Sequence, residues 1–154
     1  MTLTLDGFAF TVPGIPVAKG RPRFARVGEH VRTFTPATSA RFEERVRMCA
    51  REAGIAIQND GAVELIVVAY WPMTGSPLKR GSRPERFKSA RPDADNVLKS
   101  VGDALNGVAF KDDAQVARAI VEKRHCAQDD PDGARVEITI RRLDIARQSE
   151  GARE

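Results

Sequence analysis

The sequence predicts an α+β fold, a small β-sheet packed with two main helices. Three observations lead there. Apolar residues recur at spacings of three and four in two separate stretches, after Pro36 and after Asp93. Two further stretches, 63–71 and 134–143, have the character of strands. The chain has 154 residues, 42% hydrophobic and 30% charged, which suits one globular domain. That balance excludes wholesale disorder and collagen-like or low-complexity chains. No run of about 18 apolar residues exists, so no transmembrane helix is expected. The opening MTLTLDGFAF has neither a positive segment nor a long apolar one, so it does not read as a secretory signal. The expectation is a cytoplasmic protein without a membrane partner, with one domain over 1–143 and a polar tail over 144–154.

The elements follow in order. Phe8 to Val17 is apolar and broken by Pro13, Gly14 and Pro16, as a short strand ending at an edge or bend would be. Lys19 to Arg26 reads as a basic loop or extended arm, and Val31 to Phe34 as a second short strand. A helix then starts, with Thr35 as N-cap and Pro36 at the first helical position. Phe42, Val46, Cys49, Ala50 and Ala53 mark its apolar face, and Gly54 its stop. Val63 to Trp71 is apolar on both alternating sets except at Glu64. It fits a central strand covered on both faces, or a strand in a dimer interface. Pro72 to Pro92, with four prolines, reads as a long loop of the kind that is often functional.

The second helix is expected over Ala94 to Leu105, with Val97, Leu98, Val101, Ala104 and Leu105 on its apolar face and Asn106-Gly107 as its stop. Val116 to Arg124 is ambiguous: Val116, Ile120 and Val121 fit a helix face, and alternation fits poorly. In Ala134 to Leu143, Val136, Ile138 and Ile140 alternate with charged and polar residues, the pattern of a half-buried strand.

Cys49 and Cys126 form no Cys-x-x-Cys pair, and His30 and His125 lie far apart. Free thiols are expected, with no structural zinc. Lys plus Arg number 25 against 21 Asp plus Glu, a net charge of +4. That favours polyanionic partners, but the arrangement of the charges says more.

Asp93, Asp95, Asp103, Asp112 and Asp113 fall within 21 residues of an otherwise basic chain. Carboxylate oxygens suit magnesium or manganese, which need few protein ligands and keep several waters. Asp93 and Asp95 lie two apart where loop becomes helix, near the end of the helix dipole that attracts anions. Lys99 follows Asp95 by four, one helical turn on, so an ammonium would stand beside a metal cluster. There it could hold a phosphate or stabilise developing charge. Asp112-Asp113, after the helix stop, could fold back to add another carboxylate.

The same residues have a plainer interpretation. Asp95 could be a helix-start residue paired with Lys99, and Asp112-Asp113 a solvated turn. The basic runs tilt the balance. Five cationic residues lie between Lys19 and Arg32 and six between Lys79 and Arg91, on both sides of the acidic segment. Basic arms grip a phosphate backbone by Coulomb attraction and counterion release, and central acids tolerate DNA only when metal ions neutralise them.

The run R-P-D-A-D-N-V-L-K-S-V-G-D-A-L-N-G, followed by D-D-A-Q-V, resembles the RusA family of Holliday junction resolvases, endodeoxyribonucleases typical of phages and prophages. The upstream G-I-P-V-A-K-G-R-P-R is similar to that family's N-terminal segment, and the likeness spans roughly Phe8 to Ile140. It implies an α+β fold with a small mixed β-sheet and two main helices, assembled as a homodimer, and a strand over Val116 to Arg124. It implies Asp93, Asp95 and Asp113 as catalytic, metal-holding carboxylates, Lys99 as the motif lysine needed for activity, and a less defined role for Asp112. Magnesium, with manganese as a substitute, is the expected cofactor. Lys19, Arg21 and Arg23 are the expected DNA contacts. The substrate that the resemblance implies is a four-way junction, cut by paired nicks in recombination and repair. The alternatives are a metal nuclease for other branched DNA, such as flaps or forks, and a non-catalytic basic DNA-binding module. The loop from Pro72 to Ala90 looks longer than in compact family members, and aromatic residues are few.

Overall fold

A computed structural model describes residues 7–76, 78–79 and 81–144. The polar tail beyond Asp144, Arg80 of the second basic run and the first six residues lie outside the described residues. The elements are β1 (Gly7–Pro13), β2 (Arg23–Val27), β3 (His30–Phe34), α1 (Ala37–Glu52), β4 (Ala62–Trp71), β5 (Arg86–Phe87), α2 (Ala94–Leu105), a 3-10 turn (Asp113–Gln115), β6 (Val116–His125) and β7 (Arg135–Leu143).

Five strands make one mixed sheet in the order β1-β7-β4-β6-β5. β4 and β6 are parallel, and the remaining pairs are antiparallel. Parallel neighbours need a long crossover, and α2 lies within the one that joins β4 to β6. This topology brings the acidic motif onto a helix packed beside β6.

The period-2 pattern sorts the sheet into two faces. Val12, Leu65, Val67, Val136, Ile138 and Ile140 point to the helices and are at most 2% exposed. Phe42, Val46 and Ala50 of α1 meet them, as do Val97, Val101, Ala104 and Leu105 of α2. Each larger apolar side chain buried here contributes about 1.5–3 kcal/mol. Val97 and Val101 are therefore core residues, which leaves neither free for contact with a second copy. The other face of β4 carries Glu64, Ile66, Val68 and Tyr70. Glu64 is buried there between Arg118 (3.0 Å) and Arg141 (3.7 Å). Among the described residues, the side chains of that face stand outside the buried core cluster.

Several local expectations shift. Pro36 occupies the N-cap position with ψ 141°, so α1 starts at Ala37 and Thr35 stands outside it. Its buried face ends at Ala50, and Ala53 is the C-cap. Gly54 closes the helix at φ +75°, which a side chain would disfavour. The basic stretch is not all loop: Arg23–Val27 pairs with His30–Phe34 as a two-stranded hairpin. The long loop contains β5, which pairs with the end of β6. The ambiguous segment is strand β6; its Val121 sits in register with Val67. Both cysteines are free thiols, Cys126 buried and Cys49 partly so.

Candidate functional site

Asp93 is the N-cap residue of α2, and Asp95 lies in its first turn. Asp93 makes no side-chain capping hydrogen bond. The loop ahead of it is fixed from the sheet: the Lys123 ammonium donates to the carbonyls of Ala90 (2.9 Å) and Pro92 (2.7 Å). From the other side the Lys19 backbone N–H donates to the Asn96 carbonyl at 2.9 Å.

The third carboxylate arrives on the 3-10 turn. Asp112 caps that turn by accepting from the Ala114 N–H at 2.8 Å, and Gln115 Oε1 accepts from the Asp112 N–H at 3.0 Å. Gln115 Nε2 donates to the carbonyls of Gln58 and Gly61, both at 3.1 Å. One glutamine thus ties the turn to the segment before β4. Asp112 is occupied as a cap, and Asp113, itself exposed, is left without that task.

Asp95, Lys99, Asp103 and Asp113 line a cleft of about 300 Å³, floored by Leu65, Val116 and Ala119. The fold therefore brings two of the three expected carboxylates and the motif lysine together. Asp93 is not in this cleft. It lines an adjoining groove of about 490 Å³ with Lys19, Arg21, Arg91, Pro92 and Asn96.

Two lysines behave differently from expectation. Lys99 leans one turn forward, 3.6 Å from Asp103, and not back toward Asp95. Lys19, expected as a DNA contact, turns inward. Its ammonium lies 2.5 Å from Glu43 of α1 and 3.0 Å from Asp103 of α2, with the side chain 18% exposed. Burial alone lowers a lysine pKa. Here the hydrogen bonds and charges of Glu43 and Asp103 outweigh it and raise Lys19 above its usual 10.5. Asp103 is the hub between them, reaching Lys19 through one oxygen and Lys99 through the other.

This gives a first expected result. Lys19→Ala leaves Glu43, only 10% exposed at its side chain, without its nearest partner. A loss of about 1–3 kcal/mol in a urea titration is expected. Because the folded pKa is raised, the wild-type stabilisation is fully present below pH 10.5 and declines as pH climbs through the raised value. The salt slope of DNA binding should not move in this variant. Arg21→Ala and Arg23→Ala should each flatten it by about 0.9 if they neutralise a duplex phosphate. A stable Lys19→Ala protein with a flattened slope would bear out Lys19 as a DNA contact.

Among the described residues no three His, Cys, Asp or Glu side chains stand close enough to enclose a metal ion. The donor set still fits a hard divalent cation. Asp95 and Asp113 offer oxygen ligands in one cleft, without thiol or imidazole beside them. Magnesium is commonly held by one or two carboxylates, with water and substrate phosphate completing its shell.

Sequence spacing did not single out Gln115, Lys123, Glu43 or the hub role of Asp103. Each acts through a partner distant in the chain or through a direction of side-chain tilt. Asp103 left a signal, since it lies four residues after Lys99, and so did Gln115, three residues after Asp112 at capping-box spacing.

The family model described as Endodeoxyribonuclease RusA matches residues 13–141. A protein of Bacillus subtilis (strain 168), described as Uncharacterized protein YqaN, is 34% identical over 145 residues. The match covers 90% of this chain and 99% of that protein.

Proposed function

The chain belongs to the RusA family of endodeoxyribonucleases, and from that premise we propose that it resolves four-way DNA junctions by paired nicks that depend on a divalent metal ion. The observation that carries this is the convergence of Asp95, Asp113 and Lys99 on one cleft, beside a groove flanked by Arg21 and Arg91. Acids gathered in the middle and cations at the margin suit a phosphodiester that must be both gripped and hydrolysed.

Asp95 and Asp113 would hold the ion, with Asp93 approaching from the groove. Magnesium, or manganese in its place, supplies charge neutralisation at the phosphate and acidifies water at neutral pH. Arg21 and Arg91 bind the backbone on either side of Asp93. Lys99, 61% exposed at its side chain, is free to reach the scissile phosphate and to offset charge that builds on its oxygens. Asp103 and Lys19 hold the root of this arrangement, and Gln115 holds the turn that carries Asp113.

Two symmetric cuts need two such clefts, so a two-fold dimer is part of the proposal. With Val97 and Val101 in the core, the sheet face opposite the helices offers a surface for a second copy, where Ile120 is 42% exposed in register with Ile66. The test is a labelled four-way junction with magnesium, run beside flaps, forks and linear duplex. Paired nicks on opposed strands, together with a 34 kDa species (about twice 16.9 kDa) in sedimentation, are expected. Binding without cleavage of any of these substrates would sink the nuclease assignment, and preferential cutting of flaps or forks would replace the substrate.

A further inference from the structure

The β2–β3 hairpin has no role in the cleft, and its surface is unusual. Nine of its ten strand residues are exposed, and Ala25 alone is half-buried. Phe24 is 73% exposed, Val31 65%, Val27 54% and Phe34 47%. An isolated two-stranded hairpin is marginally stable, so large side chains on it normally find a covering partner. Arg21, Arg23, Arg26 and Arg32 are interleaved in sequence with these apolar groups, against Glu29 as the segment's acid. That charge makes nucleic acid the complementary partner.

The root of the hairpin stands beside the catalytic groove. Gly20 donates its N–H to Ser39 Oγ at 3.2 Å, and a Cβ added at Gly20 would meet Pro36 at 3.1 Å. The neighbouring Lys19 is bound to both helices. Arg21, next along, lines the groove with Arg91 and Asp93. Phe24 follows three residues later and pairs with Thr33, one step from the root of the hairpin. Its side chain shares a face with Arg26, whose cross-strand partner is Val31. The turn at Gly28, with φ +64°, lies at the far end.

We propose that the hairpin is a branch-reading element, in which Phe24 stacks on a base opened at the branch point while Arg26, on the same face, holds a flanking phosphate. This rests on the branched-DNA assignment above and adds the group that distinguishes a branch from linear duplex. A four-way junction interrupts continuous stacking where its arms meet, so a base there is opened more readily than in duplex, and an aromatic face binds any opened base by stacking. In linear duplex every base is already stacked, so Phe24 has nothing to bind there.

The experiment uses full-length protein and four-way junctions carrying 2-aminopurine at the branch, with linear duplex of matching sequence. Phe24→Ala, Phe24→Leu and Phe24→Trp are compared. Because the side chain lies mostly in solvent, all three variants should fold, and thermal melting confirms it. Phe24→Ala and Phe24→Leu should lose about tenfold or more in junction affinity, keep duplex affinity within twofold, and fail to unquench the probe. Phe24→Trp should keep junction affinity within a few-fold and preserve the signal. Unchanged junction binding and unquenching in Phe24→Ala overturn the proposal, as does equal weakening toward junction and duplex. If the wild type prefers forks to four-way junctions yet shows the same Phe24 dependence, the stacking role stands and the four-way assignment falls. If the wild type prefers no branched DNA over duplex, both fall.

Discussion

Asp95→Asn and Asp113→Asn should each reduce junction cleavage by about three orders of magnitude or more, while junction binding survives or tightens. Both side chains line the same cleft, and in the proposed function each would give a hard cation one of its charged ligands. Losing several kcal/mol of transition-state stabilisation at about 1.4 kcal/mol per decade accounts for that size. The cations at Arg21 and Arg91 are untouched, so DNA affinity should hold. Asp112 is the internal control. Its carboxylate caps the Ala114 N–H, a task asparagine performs about as well. Asp112→Asn should therefore cut within a few-fold of wild type. Asp93→Asn asks whether groove and cleft act as one site, and the proposal expects its cleavage to be lost too. Single-turnover cleavage of a labelled junction in magnesium decides all four. Strong cleavage by Asp95→Asn or Asp113→Asn removes that residue from the site, and a dead Asp112→Asn enzyme would mean the wrong aspartate of the pair was chosen.

That contrast shows how far the sequence could be read. Periodicity found α2 to the residue and β7 to within one, because each has a single buried face. It failed on β6, whose two faces both carry mixed residues: Lys123 points toward the helix side to hold the Pro92 loop, while Ile120 is exposed on the other. It missed β2 for the opposite reason. A hairpin exposed on both sides has no alternation to detect. In the site, the D-x-D spacing marked Asp93 and Asp95 as one unit, yet the helix start sends them to neighbouring depressions. The charge of Lys19 was legible, but its partners were not. Glu43 is 24 positions away, and only folding brings α1 and α2 to either side of that ammonium.

Lys99→Ala separates the two interpretations of the motif lysine most cleanly. Its contact with Asp103 is 3.6 Å long, between a side chain 61% exposed and one 27% exposed. Such a pair is worth about 0.2–0.5 kcal/mol, so the urea midpoint should barely move. An electrostatic role at the reacting phosphate predicts a different scale, about 10²–10³-fold in rate. The expected result is thus a well-folded protein that binds junctions and cuts them hundreds of times more slowly. Lys99→Arg keeps the charge but exchanges a compact ammonium for a planar fork, so partial recovery is expected. Asp103→Asn is the companion measurement. It keeps the size of the side chain and removes the charge that draws Lys99 forward and Lys19 inward. Slower cleavage combined with lowered stability is expected there, since both lysines lose a partner. If Lys99→Ala cuts within a few-fold of wild type, the lysine is only a surface partner of Asp103, and the phosphate charge must be met by the carboxylate-held ion and the arginines of the groove.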